Sequence, residues 1–220
     1  MVIAILVAIT PLVIWKILKA QNSELYLENQ NYRLQLGYED LYQTNSADIV
    51  MLGDSHTYNI NWDELLNRKG IVNRGIDGDI TQGYLHRLTY IYKLNPKLCF
   101  IEGGINDLYS HFTIHEIFEN YNEIITVLRS HYIIPIIQST LFVAKNYKSA
   151  KETNYKVEQL NQMLIKYSKE NSIEYLDINT LVRNNSYLRE ELSYDGIHLN
   201  AKGYMLWKPL VEKVLEEHNL

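Results

Sequence analysis

Residues 48–56 read "DIVMLGDSH": an acid, four apolar residues, then a glycine, a second acid, a hydroxyl and an imidazole. A short aliphatic run closed by glycine predicts a buried β-strand over 49–52. Ser55, just beyond it, has two readings. A serine before a helix is an ordinary cap, because its oxygen satisfies free N–H groups there. A serine at that point is also a good nucleophile, because the same N–H groups and the helix dipole favour developing negative charge. The rest of the chain has to separate the two.

Further apolar or β-rich runs predict strands at 71–72, 98–102, 132–138 and 173–178. Helical patterns lie between and beyond them. Ile117, Tyr121, Ile124, Ile125 and Leu128 share one helix face, as do Leu160, Met163, Leu164 and Tyr167, and Tyr204, Leu206, Trp207, Leu210, Val211 and Val214. Alternating β and α, with strands apolar on both sides, predicts an α/β fold. The expected architecture is a three-layer α/β/α sandwich around a mainly parallel five-stranded sheet, flavodoxin-like in plan. No repeat or low-complexity linker divides it, so 48–220 reads as one domain. The 220 residues, 46% hydrophobic and 21% charged, suit such a domain with a short appendage. A net charge of -5 argues against a general nucleic-acid binder, which shows a basic patch. Cys99 is the only cysteine, so neither an internal disulfide nor a cysteine-rich zinc site is available.

In a parallel α/β sheet, ligands bind beyond the carboxyl ends of the strands. The loops at those ends are therefore the ones to read. The first is Gly53-Asp54-Ser55-His56. The second is Asn73-Arg74-Gly75-Ile76-Asp77-Gly78-Asp79, whose glycines allow a turn that aims N–H groups at an anion. The third, Gly103-Gly104-Ile105-Asn106-Asp107, offers an amide donor, and Asp195-Gly196-Ile197-His198 lies near the C-terminus. Each has an ordinary reading as a turn, a cap or a local hydrogen-bonded pair. Together they supply what acyl transfer needs: a nucleophile, a base, a group to orient the base, and oxyanion donors. The Asp-x-x-His spacing would place Asp195 and His198 on one side of a helical turn.

The order and wording of these blocks resemble the SGNH hydrolases, also called GDSL-type esterases and lipases, from Asp48 to about Leu215. The "NRGIDGDIT" and "YDGIHLNAKGY" blocks are most similar to the subgroup of small esterases, lysophospholipase-like enzymes and acetylhydrolases. The resemblance implies Ser55 as nucleophile, Asp195 and His198 completing the triad, and Ser55, Gly78 and Asn106 as oxyanion donors. Asp54, Gly75, Asp79 and Asp107 would then support the loops. His56 departs from the family, which commonly has leucine or another apolar residue there. No G-x-S-x-G elbow is present, which disfavours the other large serine-hydrolase fold. The expected activity is ester hydrolysis through an acyl-enzyme, on a small-molecule, lipid or glycan ester with a short acyl or single-chain group, with no cofactor and no metal. Acyl transfer to a sugar hydroxyl and a silent glycan- or lipid-binding module are the alternatives. His111 and His115 are four apart but lack the glutamate of H-E-x-x-H, and Asp77 with Asp79 lacks EF-hand spacing.

The N-terminus is a separate object. Residues 2–15 carry no charge, and Ile17 and Leu18 extend the run past Lys16. With a spanning helix needing about 20 apolar residues, 1–20 reads as a membrane anchor, a cleaved signal being the runner-up and a buried core helix the third reading. Lys16 and Lys19 vote for a cytoplasmic domain by the positive-inside rule, whereas the expected chemistry favours the outer face. Residues 21–47 read as a juxtamembrane helix or spacer, with a helix packed on the domain as the other possibility.

Overall fold

The structure is a computed structural model and describes residues 24–220. Strands β1 (Ile49–Gly53), β2 (Ile71–Gly75), β3 (Leu98–Ile101), β4 (Ile134–Gln138) and β5 (Glu174–Leu176) form one parallel sheet in the order β2-β1-β3-β4-β5. The chain leaves β1 towards one edge of the sheet and returns to the other side as β3. The crevice beyond the carboxyl ends of β1 and β3 is thus the topological switch point, where sheets of this kind bind ligands. Ser55 follows β1, and Asn106 follows β3.

Ten α-helices among the described residues complete the fold: α1 (Gln30–Glu39), α2 (Ser55–Tyr58), α3 (Trp62–Leu66), α4 (Thr81–His86), α5 (Thr89–Tyr92), α6 (Ile105–Tyr109), α7 (Ile114–Ser130), α8 (Ala150–Asn171), α9 (Asn179–Val182) and α10 (Ala201–Glu217). In one layer α7 packs between α4 and α8; in the other, α10 packs on α3 and α9. The sequence periodicity explains these layers. Helix α7 buries Ile117, Tyr121, Ile124, Ile125 and Leu128, and a Thr113–Glu116 capping box starts it. Helix α10 buries Tyr204, Trp207, Val211 and Val214. Its Trp207 packs edge-on against Trp62 and donates its indole N–H to Gln138 Oε1 at 2.8 Å, which gives the buried indole its acceptor.

The strand limits differ from expectation for local reasons. Strand β2 runs on to Gly75 because its polar residues are bonded: Asn73 Nδ2 donates to the Thr57 and Ile60 carbonyls, and Arg74 faces Glu39. Strand β4 starts two residues late because Tyr132 adopts φ 61° in an exposed turn. Strand β5 covers only the middle of the expected run.

Within the segment expected as a juxtamembrane helix or spacer, the described residues from 24 onward include a helix that packs on the domain, the alternative reading. Tyr32 is buried and donates its hydroxyl to the Gly83 carbonyl, and buried Glu39 lies 3.6 Å from Arg74. Asn29 caps α1 and donates to the Asp77 carbonyl at 2.9 Å, while Asn31 donates to Asp77 Oδ2 at 3.0 Å. The sequence pattern was loose because tyrosine, asparagine and glutamate make these contacts, not an aliphatic stripe. The anchor expected over 1–20 lies outside the described residues. Among the described residues, no helix is long and apolar enough to cross a membrane.

Candidate active site

Ser55 is the first residue of α2, and the cap of that helix is Asp54, whose Oδ1 accepts the His56 N–H at 2.9 Å. Capping therefore does not occupy the Ser55 hydroxyl. Glycine at 75 lets α2 lie against the end of β2. A Cβ there would sit 2.3 Å from the Tyr58 nitrogen and 2.7 Å from its Cα, both backbone atoms with nowhere to go.

His198 Nε2 lies 2.9 Å from Ser55 Oγ, and His198 Nδ1 lies 2.6 Å from Asp195 Oδ2. Base and orienter are thus in line with the hydroxyl, across 143 residues of chain. The pairing of Asp195 with His198 is not made on a helical turn, as the spacing suggested. Residues 194–198 form a bend, in which Asp195 Oδ1 accepts the N–H groups of Ile197 at 3.0 Å and His198 at 2.8 Å. Short-range carboxylate-to-backbone bonds of this kind hold such turns without a helix. Burial pushes the Asp195 carboxyl up, but the His198 ring and these two N–H groups outweigh it and hold it below the usual carboxylate range. The Tyr194 ring stacks on the His198 ring with centroids 5.6 Å apart.

Gly78, on the loop after β2, is exposed and takes φ 71°, a conformation that favours glycine. Neither the Gly78 nor the Ser55 N–H is bonded to an acceptor among the described residues. Asn106, in the first turn of α6, donates through Nδ2 to the Asp79 carbonyl at 3.0 Å and to Asp54 Oδ2 at 3.3 Å. Its amide is therefore steered from two sides.

The acids expected to support the loops are all buried and bonded. Asp79 accepts from the Ile80 N–H and from Arg87 Nε at 2.8 Å. Burial pushes its carboxyl up to about 7, against the pull of Arg87. Asp107 accepts from the Thr81 N–H and hydroxyl, and burial pushes it up to about 7 as well. His111 and His115 do not share a helix face: His111 precedes the Thr113 cap of α7, and His115 pairs with Glu119. Asp77 and Asp79 likewise part, one exposed against Asn31 and the other buried against Arg87.

Two residues of this region were not singled out in the sequence. Arg87 is fully buried and clamps three groups, adding the Arg74 carbonyl at 2.7 Å and the Gly53 carbonyl at 3.1 Å to Asp79. Glu102, read as the end of the third strand, is buried beside Asp54 and His56, and these three form the one group among the described residues whose carboxylate and ring-nitrogen atoms lie within 4.8 Å of one another.

A hydroxyl, imidazole and carboxylate in line at the switch point of a 2-1-3-4-5 parallel sheet define a hydrolase of the SGNH type. The chain belongs to the GDSL-like Lipase/Acylhydrolase family, whose profile matches residues 51–206. Its fold is that of a GDSL-like lipase from Bacteroides thetaiotaomicron VPI-5482, with a TM-score of 0.74 at 22% identity over 86% of this chain and 98% of that one. It also matches the lipase/acylhydrolase from Enterococcus faecalis, with a TM-score of 0.65 at 21% identity over 78% of this chain and 96% of that one. In sequence it is 27% identical over 184 residues to an N-acylneuraminate cytidylyltransferase of Streptococcus agalactiae serotype III, covering 82% of this chain. The chain spans 41% of the length of that relative, so the relative's name describes a protein more than twice as long.

Proposed function

We propose that this protein is a serine esterase that hydrolyses carboxylic esters through an acyl-enzyme on Ser55. The observation that carries the reading is the relay from Ser55 Oγ to His198 Nε2 (2.9 Å) and from His198 Nδ1 to Asp195 Oδ2 (2.6 Å). Ser55 Oγ attacks the ester carbonyl as His198 Nε2 takes its proton. Asp195 keeps the Nδ1–H tautomer and stabilises the imidazolium that forms. The oxyanion is met by the Ser55 and Gly78 N–H groups and by Asn106 Nδ2. His198 then returns the proton to the leaving alcohol, and water repeats the sequence on the acyl-enzyme.

A short acyl group suits the site better than a long one. The connection after β4 enters α8 within about a dozen residues, and its Val143 and Ala144 are buried in the domain. That leaves little chain to build a lid over an acyl tunnel.

The test uses the full-length chain and its Ser55→Ala variant on p-nitrophenyl esters from acetyl upward, with fluorophosphonate labelling alongside. Turnover and labelling in the first and neither in the second support the reading. Equal background rates from two folded proteins refute it, and a rate that climbs steadily with chain length refutes the short-acyl assignment. Ester product formed on an added sugar, in place of free acid, would move the chain to the transferases.

A further inference from the structure

Beside the proposed nucleophile lies a buried acid–base cluster that the hydrolytic relay does not use. Asp54, His56 and Glu102 are all fully buried. His56 Nδ1 lies 3.3 Å from Asp54 Oδ1, and His56 Nε2 lies 3.0 Å from the Ile197 carbonyl oxygen. The Ile197 carbonyl only accepts, and so does the Asp54 carboxylate in its ionised form. A neutral imidazole has one N–H and can serve only one of them, so satisfying both requires the doubly protonated ring.

The rest of the cluster is built for that charge. Burial opposes it, but the hydrogen bond to Asp54, the nearby Glu102 and Asp54 carboxyls and the Ile197 carbonyl outweigh burial and push the ring up to about 9. Burial, and then the Asp54 charge, push the Glu102 carboxyl well above the usual carboxylate range, against the pull of the His56 ring. Neither of its oxygens has a hydrogen-bond partner among the described residues.

What the ring holds is the geometry of the relay. The Ile197–His198 peptide unit is gripped at both ends: its carbonyl by His56 Nε2, its N–H by Asp195 Oδ1 at 2.8 Å. That unit sets where the His198 ring lies, 5.5 Å from the His56 ring between centroids. At its other end His56 pairs with Asp54, whose second oxygen accepts from Asn106. The His56 carbonyl is fixed in turn by the Tyr204 hydroxyl at 2.7 Å. We propose that His56 is a positioning residue for the esterase reaction, a buried imidazolium that ties the turn bearing Ser55 and the Asn106 donor to the loop bearing His198. The proposal rests on the esterase reading above.

The titratable groups facing the ring are Asp54 on the turn before α2, Glu102 after β3 and His198 on the C-terminal bend, while Tyr204 on α10 meets the His56 backbone carbonyl. The test has two readouts. The first is the histidine ring spectrum of the full-length protein labelled with 15N-histidine, with His56 assigned by its loss in His56→Leu or, if that variant does not fold, His56→Gln. The expected result is that both His56 nitrogens carry protons at pH 8, and still do so after EDTA treatment and in Glu102→Gln. A neutral ring, or a spectrum that changes with EDTA because the three side chains share a metal ion, overturns the proposal.

The second readout is turnover of p-nitrophenyl acetate. Small misplacements of catalytic groups cost up to about 100-fold, so kcat should fall roughly 10- to 100-fold in the His56 variants with KM little changed. Wild-type kcat should also decline as pH rises through about 9, and this alkaline limb should vanish with His56. A residue that only fills space would leave the limb in place, and that result overturns the proposal. Wild-type turnover matched by His56→Leu overturns the positioning role alone. Absence of wild-type turnover and of Ser55 labelling overturns the esterase reading and the positioning role with it.

Discussion

The Asn106→Ala variant gives a stringent test of the proposed oxyanion site. In the resting structure Asn106 Nδ2 spends both hydrogens, one on the Asp79 carbonyl at 3.0 Å and one on Asp54 Oδ2 at 3.3 Å. The bond to Asp79 steers the amide, and the longer one is the bond available for exchange with the oxyanion. Binding the transition state therefore trades a weak contact for a strong one. Removing a single oxyanion donor typically costs about 2.7–4 kcal/mol, and the exchange places this residue at the lower end, about 100-fold in kcat. KM should stay nearly constant, because the bond forms only as charge develops. The same change strips a donor from a buried carboxylate and a carbonyl, so about 1–3 kcal/mol of stability should go with it. Steady-state kinetics on p-nitrophenyl acetate, with urea unfolding of the same preparation, separates the two effects. A kcat within about threefold of wild type, or a loss carried wholly by KM, would remove Asn106 from the transition state.

Other consequences are as direct. Asp195→Asn should keep the fold but lower kcat by about 10,000-fold, because an amide no longer selects the His198 tautomer; a loss below tenfold would mean that the 2.6 Å contact does not orient the base. Arg87→Met should destabilise the protein by about 3–5 kcal/mol, because it removes the ion-pair partner of buried Asp79 and a donor from the Arg74 and Gly53 carbonyls, and urea unfolding would contradict this with a change under about 1 kcal/mol. The His56 ring is raised from 6.5 to about 9, so its contribution to stability is complete below pH 6.5 and is lost as pH rises through about 9. Unfolding midpoints measured between pH 6 and 10 should fall over that window in wild type. The His56-dependent part of that fall should be missing in His56→Leu.

Much of this protein follows from its sequence alone. The aliphatic runs beginning at Ile49, Leu98 and Ile134 and the helical stripes of α7 and α10 are patterns of local periodicity, and burial on one face or both is what such patterns encode. The order of these segments implied a parallel sheet, and a parallel sheet brings the loops after its strands, those of Ser55 and Asn106 among them, to one edge. Only the tertiary structure decided the rest. The sequence could not say that Asp54, not Ser55, caps α2, because either oxygen could have done so. It could not place Arg87, Glu39 or Glu102 inside, because an isolated charged residue reads as solvated until its buried partner is known. Nor could it show that α1 lies on the domain, because its contacts are polar and reach across 46 residues or more to Asp77 and Gly83. His56 stood out only as a departure from its family. Its partners, Glu102 and the Ile197 carbonyl, lie 46 and 141 residues away, and the charge of a buried imidazole depends on the acceptors around it, which only the folded chain brings together.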